Sequence, residues 1–290
     1  MAHPTGLSGR LFHRFGRLSV DDCCGTPFQP QLFCLLLLRS GPAGHSIHFR
    51  DLMFEPAGIE AGKVFLIDKP LGWTSFDVVN KIRYHFRFQF GLKKLKVGHA
   101  GTLDPMASGL LIVCVGKKTK SIDDFMGLDK TYTGCMRLGA TTASYDAETP
   151  EENHRPTQFL KTDDLETCRQ QFLGQQMQVP PLFSAVKVKG KKAYELARKG
   201  RDLTLDARPV TIKKFVLTAV DLPDLHFEVH CSKGTYLRSL AHDFGQCLGS
   251  GAYLSALKRT AIGDFQLKDA WKLEDWLRAH SRESGEPQKD

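Results

Sequence analysis

The segment from Gly98 to Gly109 reads GHAGTLDPMASG and places His99 and Asp104 among glycines, small residues and one proline. Glycine lets a backbone approach a ligand closely, and a residue before proline is held extended, so Asp104 can be fixed without regular secondary structure. Asp104 is the only acidic residue from Val78 to Ile122, a stretch with nine lysines and arginines. A carboxylate among cations is expected to be ionised, which suits it for nucleophilic attack. Aspartate and glycine are also ordinary turn residues, so composition alone leaves a surface turn open.

A second chemical feature is the segment SKGTYLRSL at residues 232–240. Apolar residues at helical spacing predict a helix here that ends at Gly249. This apolar face contains Leu237, Leu240, Ala241, Phe244 and Leu248. Arg238 therefore falls in the first helical turn, where the helix dipole disfavours a cation, and an anionic partner is expected to hold it there. Asp104 is a candidate for this partner, and solvent or a nucleic-acid phosphate are the alternatives.

Tyr132 and His99 each admit two interpretations. Tyr132 lies in KTYTG, on a segment that alternates like a strand, where a tyrosine either packs in a core or stacks on an extruded base. His99 is either a core histidine satisfied by a hydrogen bond or a donor and stacking surface for nucleic acid. The surrounding sequence leaves both choices open.

Hydrophobic periodicity predicts the elements that must position these residues. From Val64 onwards, VFLIDKPLGWTSF predicts a strand, a turn and then a helix capped by Ser75. The apolar face of that helix is predicted to contain Phe76, Val79, Ile82 and Phe86. LLIVCV at 110–115 predicts a buried strand, KKTKSIDDFM a helix, and KTYTGCMRLG at 130–139 a second strand.

The remainder of the chain continues this mixture of helices and strands. Residues 140–162 are rich in Thr, Glu and Pro and are predicted to be a mobile insertion, followed by a helix from Asp163 to Leu173. PVTIKKFVLTAV and LHFEVHC predict two further strands. We therefore predict one mixed α+β domain over residues 61–280, with helices packed on a largely antiparallel sheet, and a polar tail at 281–290.

Composition restricts the class of protein. The chain has 290 residues, 41% of them hydrophobic, which is enough for a sizeable core. A formal net charge of +8 favours a polyanionic partner, although excess charge also serves solubility. The eight cysteines show no metal-binding spacing, so we expect reduced thiols and no metal. No apolar run approaches the roughly 18 residues of a membrane-spanning helix, so no membrane partner is expected.

The first sixty residues differ in kind from the rest. The first fifty contain five arginines and only two acidic residues, Asp21 and Asp22, without sustained periodicity. This composition is typical of a transit peptide for a mitochondrion or chloroplast. An unstructured extension or a misjudged start codon are the alternatives, and either would leave the protein in the cytoplasm or nucleus.

Five ordered segments together resemble the motifs of the TruB family of tRNA pseudouridine synthases. The resemblance covers about residues 63–267. The segments are LIDKPLGWTSFDVV, VGHAGTLDPMASGLLIVCVGKKTK, DKTYTGCMRLG, PPLFSAVKVKGKKAYELARKG and HCSKGTYLRSLAHDFGQCLGSGAYLSALKRTAIG.

This resemblance implies a fold of the pseudouridine synthase type and isomerisation of uridine to pseudouridine at position 55 of the tRNA T-loop, without cofactor or metal. The family's catalytic aspartate falls on Asp104, which would attack the sugar C1′ or the base C6 of the flipped nucleotide. The family's active-site tyrosine falls on Tyr132, which would stack on the base and assist proton transfer. The family's arginine falls on Arg238, which would pair with the aspartate.

The resemblance also implies residues that contact the RNA. His99 would help splay the T-loop, Tyr236 and Leu257 would line the pocket, and Lys120 and Lys130 would lie near it or near the RNA. The basic segment from Lys187 to Arg201, with seven lysines and arginines, resembles the family's RNA-gripping insertion. A solvated charged surface is the alternative for that segment.

The chain departs from the family pattern in two places. The stretch TTASYDAETP keeps Asp146 but lacks one aspartate and the final glycine of the family's acidic loop. The chain also ends soon after Trp276, so a C-terminal PUA domain is not expected. A monomer that needs no guide RNA is therefore the leading hypothesis. The competing hypotheses are a guide-RNA-dependent synthase like dyskerin and an RNA-binding module that has lost catalysis, although the set Asp104, Tyr132 and Arg238 favours an active enzyme.

Overall fold

A large β-sheet forms the centre of the computed structural model, which describes residues 56–184, 186–188, 190–197 and 204–281. Eight of its ten strands follow the spatial order β14-β1-β3-β12-β4-β11-β10-β7, with β2 paired to β3 and β13 paired to β12. The ten strands are β1 (Lys63–Lys69), β2 (Val97–Ala100), β3 (Ala107–Val115), β4 (Lys130–Leu138), β7 (Gly174–Gln178), β10 (Arg208–Asp221), β11 (Asp224–Cys231), β12 (Ala252–Ile262), β13 (Phe265–Gln266) and β14 (Trp271–Lys272).

Two short hairpins and seven helices complete the described part of the chain. The hairpins are β5 (Thr141–Thr142) with β6 (Glu151–Glu152), and β8 (Lys187–Val188) with β9 (Lys191–Lys192). The helices are α1 (Pro56–Ala61), α2 (Ser75–Phe90), α3 (Ile122–Gly127), α4 (Thr162–Gln171), α5 (Ala193–Ala197), α6 (Leu237–Cys247) and α7 (Leu273–Ala279), and 3-10 turns cover Gly116–Ser121 and Leu267–Asp269.

The sheet is largely antiparallel, as predicted, with two parallel pairings. β1 runs parallel to β14, and β3 runs parallel to β12. The segment 107–115 that forms β3 is almost entirely buried, because one apolar cluster covers one set of its side chains and a second cluster covers the other set. This burial on both faces explains why LLIVCV is continuously apolar rather than alternating. The predicted α+β class is confirmed.

Helix α2 begins one residue earlier than predicted, because Thr74 rather than Ser75 is the N-cap. The Thr74 hydroxyl accepts from the Asp77 amide at 3.0 Å, and the Asp77 carboxylate accepts from the Thr74 amide at 2.8 Å, which is a capping box. Because Ser75 is not the N-cap, its side chain is free to turn inward. Phe76 was predicted to face the core, but it is 58% exposed, because the buried face is shifted to Val78, Val79, Ile82 and Phe86.

Helices α4 and α6 cover the other half of the sheet. One core cluster joins Leu165 of α4 and Leu240 and Phe244 of α6 to Phe215 and Phe227 of the strands. The apolar face predicted for α6 is therefore confirmed. Gly249 follows the helix with φ of +69°, the left-handed conformation that glycine adopts without a Cβ clash.

Residues 140–146 are packed, in contrast to the mobile insertion predicted for 140–162, whereas most of residues 147–159 are exposed. The β5/β6 hairpin lies within 140–162, and Thr142, Ser144 and Asp146 are buried. The physical reason is local hydrogen bonding, since the Thr142 and Ser144 hydroxyls both donate to the Asp146 carbonyl, at 2.7 and 3.2 Å. Threonine and serine there stabilise turns rather than disorder.

The described residues lie within one compact unit. Residues 1–55 and 282–290, on which the predicted extension and tail largely fall, lie outside the described ranges. The domain boundaries at 61 and 280 therefore remain predictions. Within 56–281, apart from the gaps given above, no helix is long and apolar enough to cross a membrane.

Candidate active site

Asp104 lies in the loop between β2 and β3, and the backbone of this loop is fixed from two sides. The Leu103 amide donates to the Ser75 hydroxyl at 2.8 Å, and that hydroxyl donates to the Leu103 carbonyl at 3.1 Å. The Gly72 amide donates to the Pro105 carbonyl at 2.8 Å. Asp104 is thus held without regular secondary structure while its side chain remains 41% exposed.

Arg238, the second residue of α6, forms an ion pair with Asp104. Its Nε atom lies 2.9 Å from Asp104 Oδ2, although the N–H is not aligned as in a regular hydrogen bond. Its terminal nitrogens donate elsewhere, Nη1 to the Ser144 carbonyl at 3.1 Å and Nη2 to the Phe183 carbonyl at 2.9 Å. Because the Arg238 side chain is only 6% exposed, these carbonyls fix its direction. The structure brings together the pair that the helix dipole argument predicted.

Asp146 is a second carboxylate at this arginine, and the sequence reasoning did not include it among the site residues. It is buried, and its Oδ2 lies 3.6 Å from Arg238 Nε. Its Oδ1 accepts from the Ser144 hydroxyl at 2.5 Å and from the Glu148 amide at 3.0 Å. The retained aspartate in TTASYDAETP was the available signal. Arg238 therefore contacts one accessible and one buried carboxylate.

The loop that presents Asp146 is supported by an aromatic stack. The rings of Tyr145 and His242 lie 3.8 Å apart between centroids, at 12° to each other. Tyr145 has a φ of +63°, which is uncommon for a residue with a bulky side chain. Burial lowers the pKa of His242, so its ring is neutral at physiological pH. The stack holds this loop against α6, and the backbone bond from the Leu254 amide to the Tyr145 carbonyl, at 3.0 Å, holds it on β12.

Arg259 is a further residue that the sequence reasoning missed. It lies on β12, is 1% exposed, and its Nε donates to the Leu110 carbonyl at 2.7 Å. Its terminal nitrogens donate to the carbonyls of Gly101 at 3.0 Å and Thr102 at 3.5 Å, in the loop that carries Asp104. The available signal was the spacing along β12: Arg259 lies two residues before the inward-facing Ala261, and residues two apart on a strand face the same side. Arg259 thus fixes the loop that carries Asp104 from behind.

Tyr132 pairs with Arg259 across β4 and β12 and is buried in the core. Burial raises the pKa of its phenol, and the neighbouring Arg259 guanidinium opposes this only in part. His99 on β2 is half-buried, and burial together with Arg259 lowers the pKa of its ring. Both side chains are therefore uncharged at neutral pH and lie beside the loop rather than on an open surface.

Two buried lysines lie near the same loop. Lys69 is fully buried, and its ammonium donates to the carbonyls of Pro70 at 3.0 Å and Trp73 at 2.5 Å. Lys130, which was predicted to lie near the pocket or near the RNA, is buried and donates to the carbonyls of Met126, at 2.7 Å, and Leu128. The end of α3 therefore holds its ammonium. Burial lowers the pKa of each of the two lysines to about 8.

A narrow cleft opens at Asp104. Its walls are formed by Met106, Ala107, Leu254, Ala256 and Leu257 together with the carboxylates and guanidinium described above. The cavity volume is about 10 Å³, close to the space that one water molecule needs. A nucleobase can therefore enter only if side chains at the mouth, such as Met106 and Leu257, move aside.

The other predicted RNA-contacting residues are placed in three different ways. Tyr236, the N-cap of α6, is half-buried. Burial raises the pKa of its phenol, while nearby Arg238 lowers it and nearby Asp104 raises it. Lys120 is exposed on the 3-10 turn and does not belong to the residues that line the cleft. The backbone of Lys187 forms β8 of the basic hairpin.

This arrangement is suited to covalent catalysis at an electrophilic carbon. Asp104 is an accessible carboxylate in a rigid loop, and Arg238 and the loop contacts hold it in one direction, as a nucleophile requires. Among the residues that the structure describes, no group of three or more His, Cys, Asp or Glu side chains is arranged to hold a metal ion.

Comparison with known proteins identifies two matching family models. Residues 87–237 match the TruB family pseudouridylate synthase N-terminal domain, and residues 238–289 match the tRNA pseudouridylate synthase B C-terminal domain. The boundary falls inside α6, and β12 of the second part pairs with β3 and β4 of the first. The two matched regions therefore share one sheet.

Several curated proteins are similar to most of the chain. It is 49% identical over 219 residues to a tRNA pseudouridine synthase B of Phocaeicola vulgatus, covering 74% of this chain and 93% of that protein. It is 50% identical over 210 residues to a tRNA pseudouridine synthase B of Flavobacterium johnsoniae, covering 72% and 92%.

Among solved structures, a chain of a Cbf5-Nop10-Gar1 complex is 30% identical with a TM-score of 0.58, and a chain of an H/ACA RNP bound to a substrate RNA is 27% identical with a TM-score of 0.55. The similarity covers 76% of this chain in both cases but only 54% and 53% of those chains, about half their length. From the two family models and the extensive identity to the curated synthases, the chain belongs to the TruB family of pseudouridylate synthases.

Proposed function

We propose that this chain converts uridine 55 in the T-loop of tRNA to pseudouridine, and that Asp104 is the nucleophile. The broader activity, pseudouridine formation in tRNA by an isomerase, follows from membership of the family and from relatives at 49% and 50% identity that are named tRNA pseudouridine synthase B. The single observation that carries the assignment to Asp104 is the 2.9 Å ion pair with the buried Arg238 at an accessible cleft.

In the reaction, the nucleotide is extruded so that its base or sugar reaches Asp104. Extrusion costs a few kcal/mol, which stacking on aromatic groups offsets. If the carboxylate attacks C1′, a carboxylate–C1′ bond forms and the N1–C1′ bond breaks, and the released uracil turns to present C5. If it attacks C6, a carboxylate–C6 bond forms by addition across the C5=C6 double bond, the N1–C1′ bond then breaks, and the base turns while it is still attached to Asp104. In both routes a C5–C1′ bond forms, Asp104 leaves, C5 loses its proton and N1 gains one.

The other residues support this step in different ways. Arg238 holds the carboxylate that attacks, and Arg259 and Ser75 hold its loop. Tyr132 is proposed to meet the flipped base and to assist proton transfer. Its neutral phenol, with a pKa raised by burial, suits it to donate a hydrogen bond rather than to carry charge.

The activity is tested with an unmodified tRNA transcript, purified protein, a chelator and no guide RNA. Pseudouridine should appear at position 55, and Asp104→Asn, which keeps the size of the side chain, should abolish turnover while tRNA binding persists. Normal turnover by the Asn variant would contradict the assignment. A requirement for added guide RNA would instead favour a guide-dependent synthase, and a monomer should be seen by sedimentation if the enzyme acts alone.

We also propose that the first sixty residues direct the protein to an organelle, on the arginine-rich composition that the sequence shows. Fusion of residues 1–60 to a fluorescent reporter tests this. A mitochondrial or chloroplast signal is expected, and a diffuse cytosolic signal would contradict it.

A further inference from the structure

The outward face of α2 carries an aromatic patch that the proposed active site does not use. Phe76, Tyr84 and Phe88 are 58%, 68% and 77% exposed, and the last two are the most exposed large hydrophobic side chains of the described ranges. They lie on one side of the helix at multiples of four residues, and the rings of Tyr84 and Phe88 stack at 6.5 Å and 11°. Single exposed apolar residues are ordinary, but aligned aromatic rings on one face indicate a binding surface.

Cations surround this patch. Lys81 and Arg87 are exposed on α2, and the Arg83 guanidinium lies 5.9 Å from the centre of the Phe76 ring. Exposed lysines continue the positive charge just after the helix, at Lys93, Lys94 and Lys96. The single carboxylate of α2 belongs to Asp77, and both the amide and the hydroxyl of Thr74 donate to it, so it is engaged at the helix start.

This combination fits a nucleic acid better than a protein. The cores of protein interfaces are depleted of lysine, whereas proteins that bind single-stranded nucleic acid combine cations that track the backbone with aromatic rings on which bases stack. A nucleotide chain supplies both partners at once, since each unpaired base has a flat face and each linkage has a phosphate.

The helix that carries the patch begins beside the candidate active site. The hydroxyl of Ser75, the first residue of α2, exchanges hydrogen bonds with Leu103, next to Asp104. Tyr84 and Phe88 follow nine and thirteen residues later, about 14 and 20 Å along the helix axis at 1.5 Å per residue. A strand of RNA that starts at Asp104 reaches that distance in about four to six stacked nucleotides.

We propose that the outward face of α2 is a second contact surface for the substrate tRNA. The stacked pair of Tyr84 and Phe88 packs against an unpaired base, while the surrounding lysines and arginines contact the flanking phosphates. This inference rests on the proposed function, because one RNA occupies the cleft and this face together.

The test combines binding with kinetics on the full chain. In an Asp104→Asn background, Tyr84→Ser with Phe88→Ser should weaken the Kd for unmodified tRNA at least about 5-fold, since stacking contributes about 1–3 kcal/mol per base. In protein that keeps Asp104, the same double serine substitution should raise KM by a similar factor, with a much smaller fall in kcat. Tyr84→Phe with Phe88→Tyr keeps both rings and should keep the affinity. Phe159→Ser, which removes an exposed aromatic ring outside α2, is the matched control and should change neither value.

Salt dependence tests the cations separately. Lys93→Ala with Lys94→Ala should reduce the slope of log Kd against log salt by about 1.4 to 1.8, since each phosphate contact contributes about 0.7 to 0.9. An unchanged Kd and KM in the double serine variant would overturn the inference. The inference would also be overturned if sedimentation showed that the double serine variant had lost self-association while its tRNA affinity was unchanged, because the patch would then be a contact between protein chains. If wild-type protein binds tRNA through Tyr84 and Phe88 but forms no pseudouridine, the proposed function fails and the surface stands.

Discussion

The Nε atom of Arg238 lies between two carboxylates, 2.9 Å from Asp104 and 3.6 Å from Asp146. The two acids differ in exposure, since the Asp104 side chain is 41% exposed and that of Asp146 is 4% exposed. The buried Asp146 carboxylate compensates part of the positive charge of Arg238. Arg238 therefore holds the accessible Asp104 carboxylate in position without fully neutralising the negative charge of Asp104. This geometry makes Arg238 the link between the fold and Asp104, the proposed nucleophile.

Arg238→Ala should therefore harm both activity and stability. The single-turnover rate should fall at least about 100-fold, because the nucleophile loses its fixed direction. The free energy of unfolding should fall by about 3 kcal/mol or more, because Asp146 stays buried without its cation. Asp146→Asn in the same background should recover part of the stability but not the rate, and recovery of both would contradict the positioning role.

The Tyr145–His242 stack should affect the rate through the loop that holds Asp146 and Ser144. Tyr145→Phe keeps the ring and should retain activity. Tyr145→Asn suits the left-handed backbone better than tyrosine does but cannot stack, so we expect a rate about 10-fold lower or more with little change in Tm. His242→Ala should reproduce this effect. Full activity of Tyr145→Asn would show that the stack has no positioning role.

Arg259→Met should destabilise the loop that carries Asp104. The substitution keeps an unbranched side chain but leaves the carbonyls of Gly101, Thr102 and Leu110 without this donor. Thr102 is exposed, so water can replace the donor there, and the Gly101 and Leu110 carbonyls lose a partner inside the protein. At about 1–3 kcal/mol for each of these two groups, the free energy of unfolding in urea should fall by about 2–6 kcal/mol. Lys258→Met changes the exposed neighbour and is the matched control, with a change expected within about 0.5 kcal/mol.

Lys69 should make stability depend on pH in alkaline solution. Its pKa is lowered from 10.5 to about 8 by burial, so between those values the folded protein binds fewer protons than the unfolded chain. The cost of burying the charge is fully present below pH 8 and disappears as pH rises towards 10.5. Wild-type protein should therefore gain stability relative to Lys69→Met over this range, by up to about 3 kcal/mol. Urea unfolding at pH 7, 8, 9 and 10 measures the difference, and a constant difference would contradict the prediction.

Local sequence sufficed for features that depend on neighbours along the chain. The apolar positions of α6 recur at helical spacing, which fixed the face of that helix and placed Arg238 in its first turn. The glycine-rich loop and the residue before Pro105 indicated a carboxylate at Asp104 that is fixed without regular secondary structure. The predictions for Ser75 and Phe76 were wrong: Thr74 and Asp77 form the capping box that starts the helix at Ser75, and the buried face includes Val78 rather than Phe76.

The sequence by itself therefore predicted a set of candidate site residues and their order along the chain, since periodicity, turn residues and the five motifs are all local patterns, but it did not single out Asp146 or Arg259. The tertiary structure alone decided which of them meet. Arg259 reaches the loop of Asp104 only because β12 pairs in register with β3 and β4, across about 150 residues of chain, and Lys130 turns away from the surface only because the carbonyls at the end of α3 lie beside it. Such contacts depend on sheet register and helix packing, and no short stretch of sequence encodes either one.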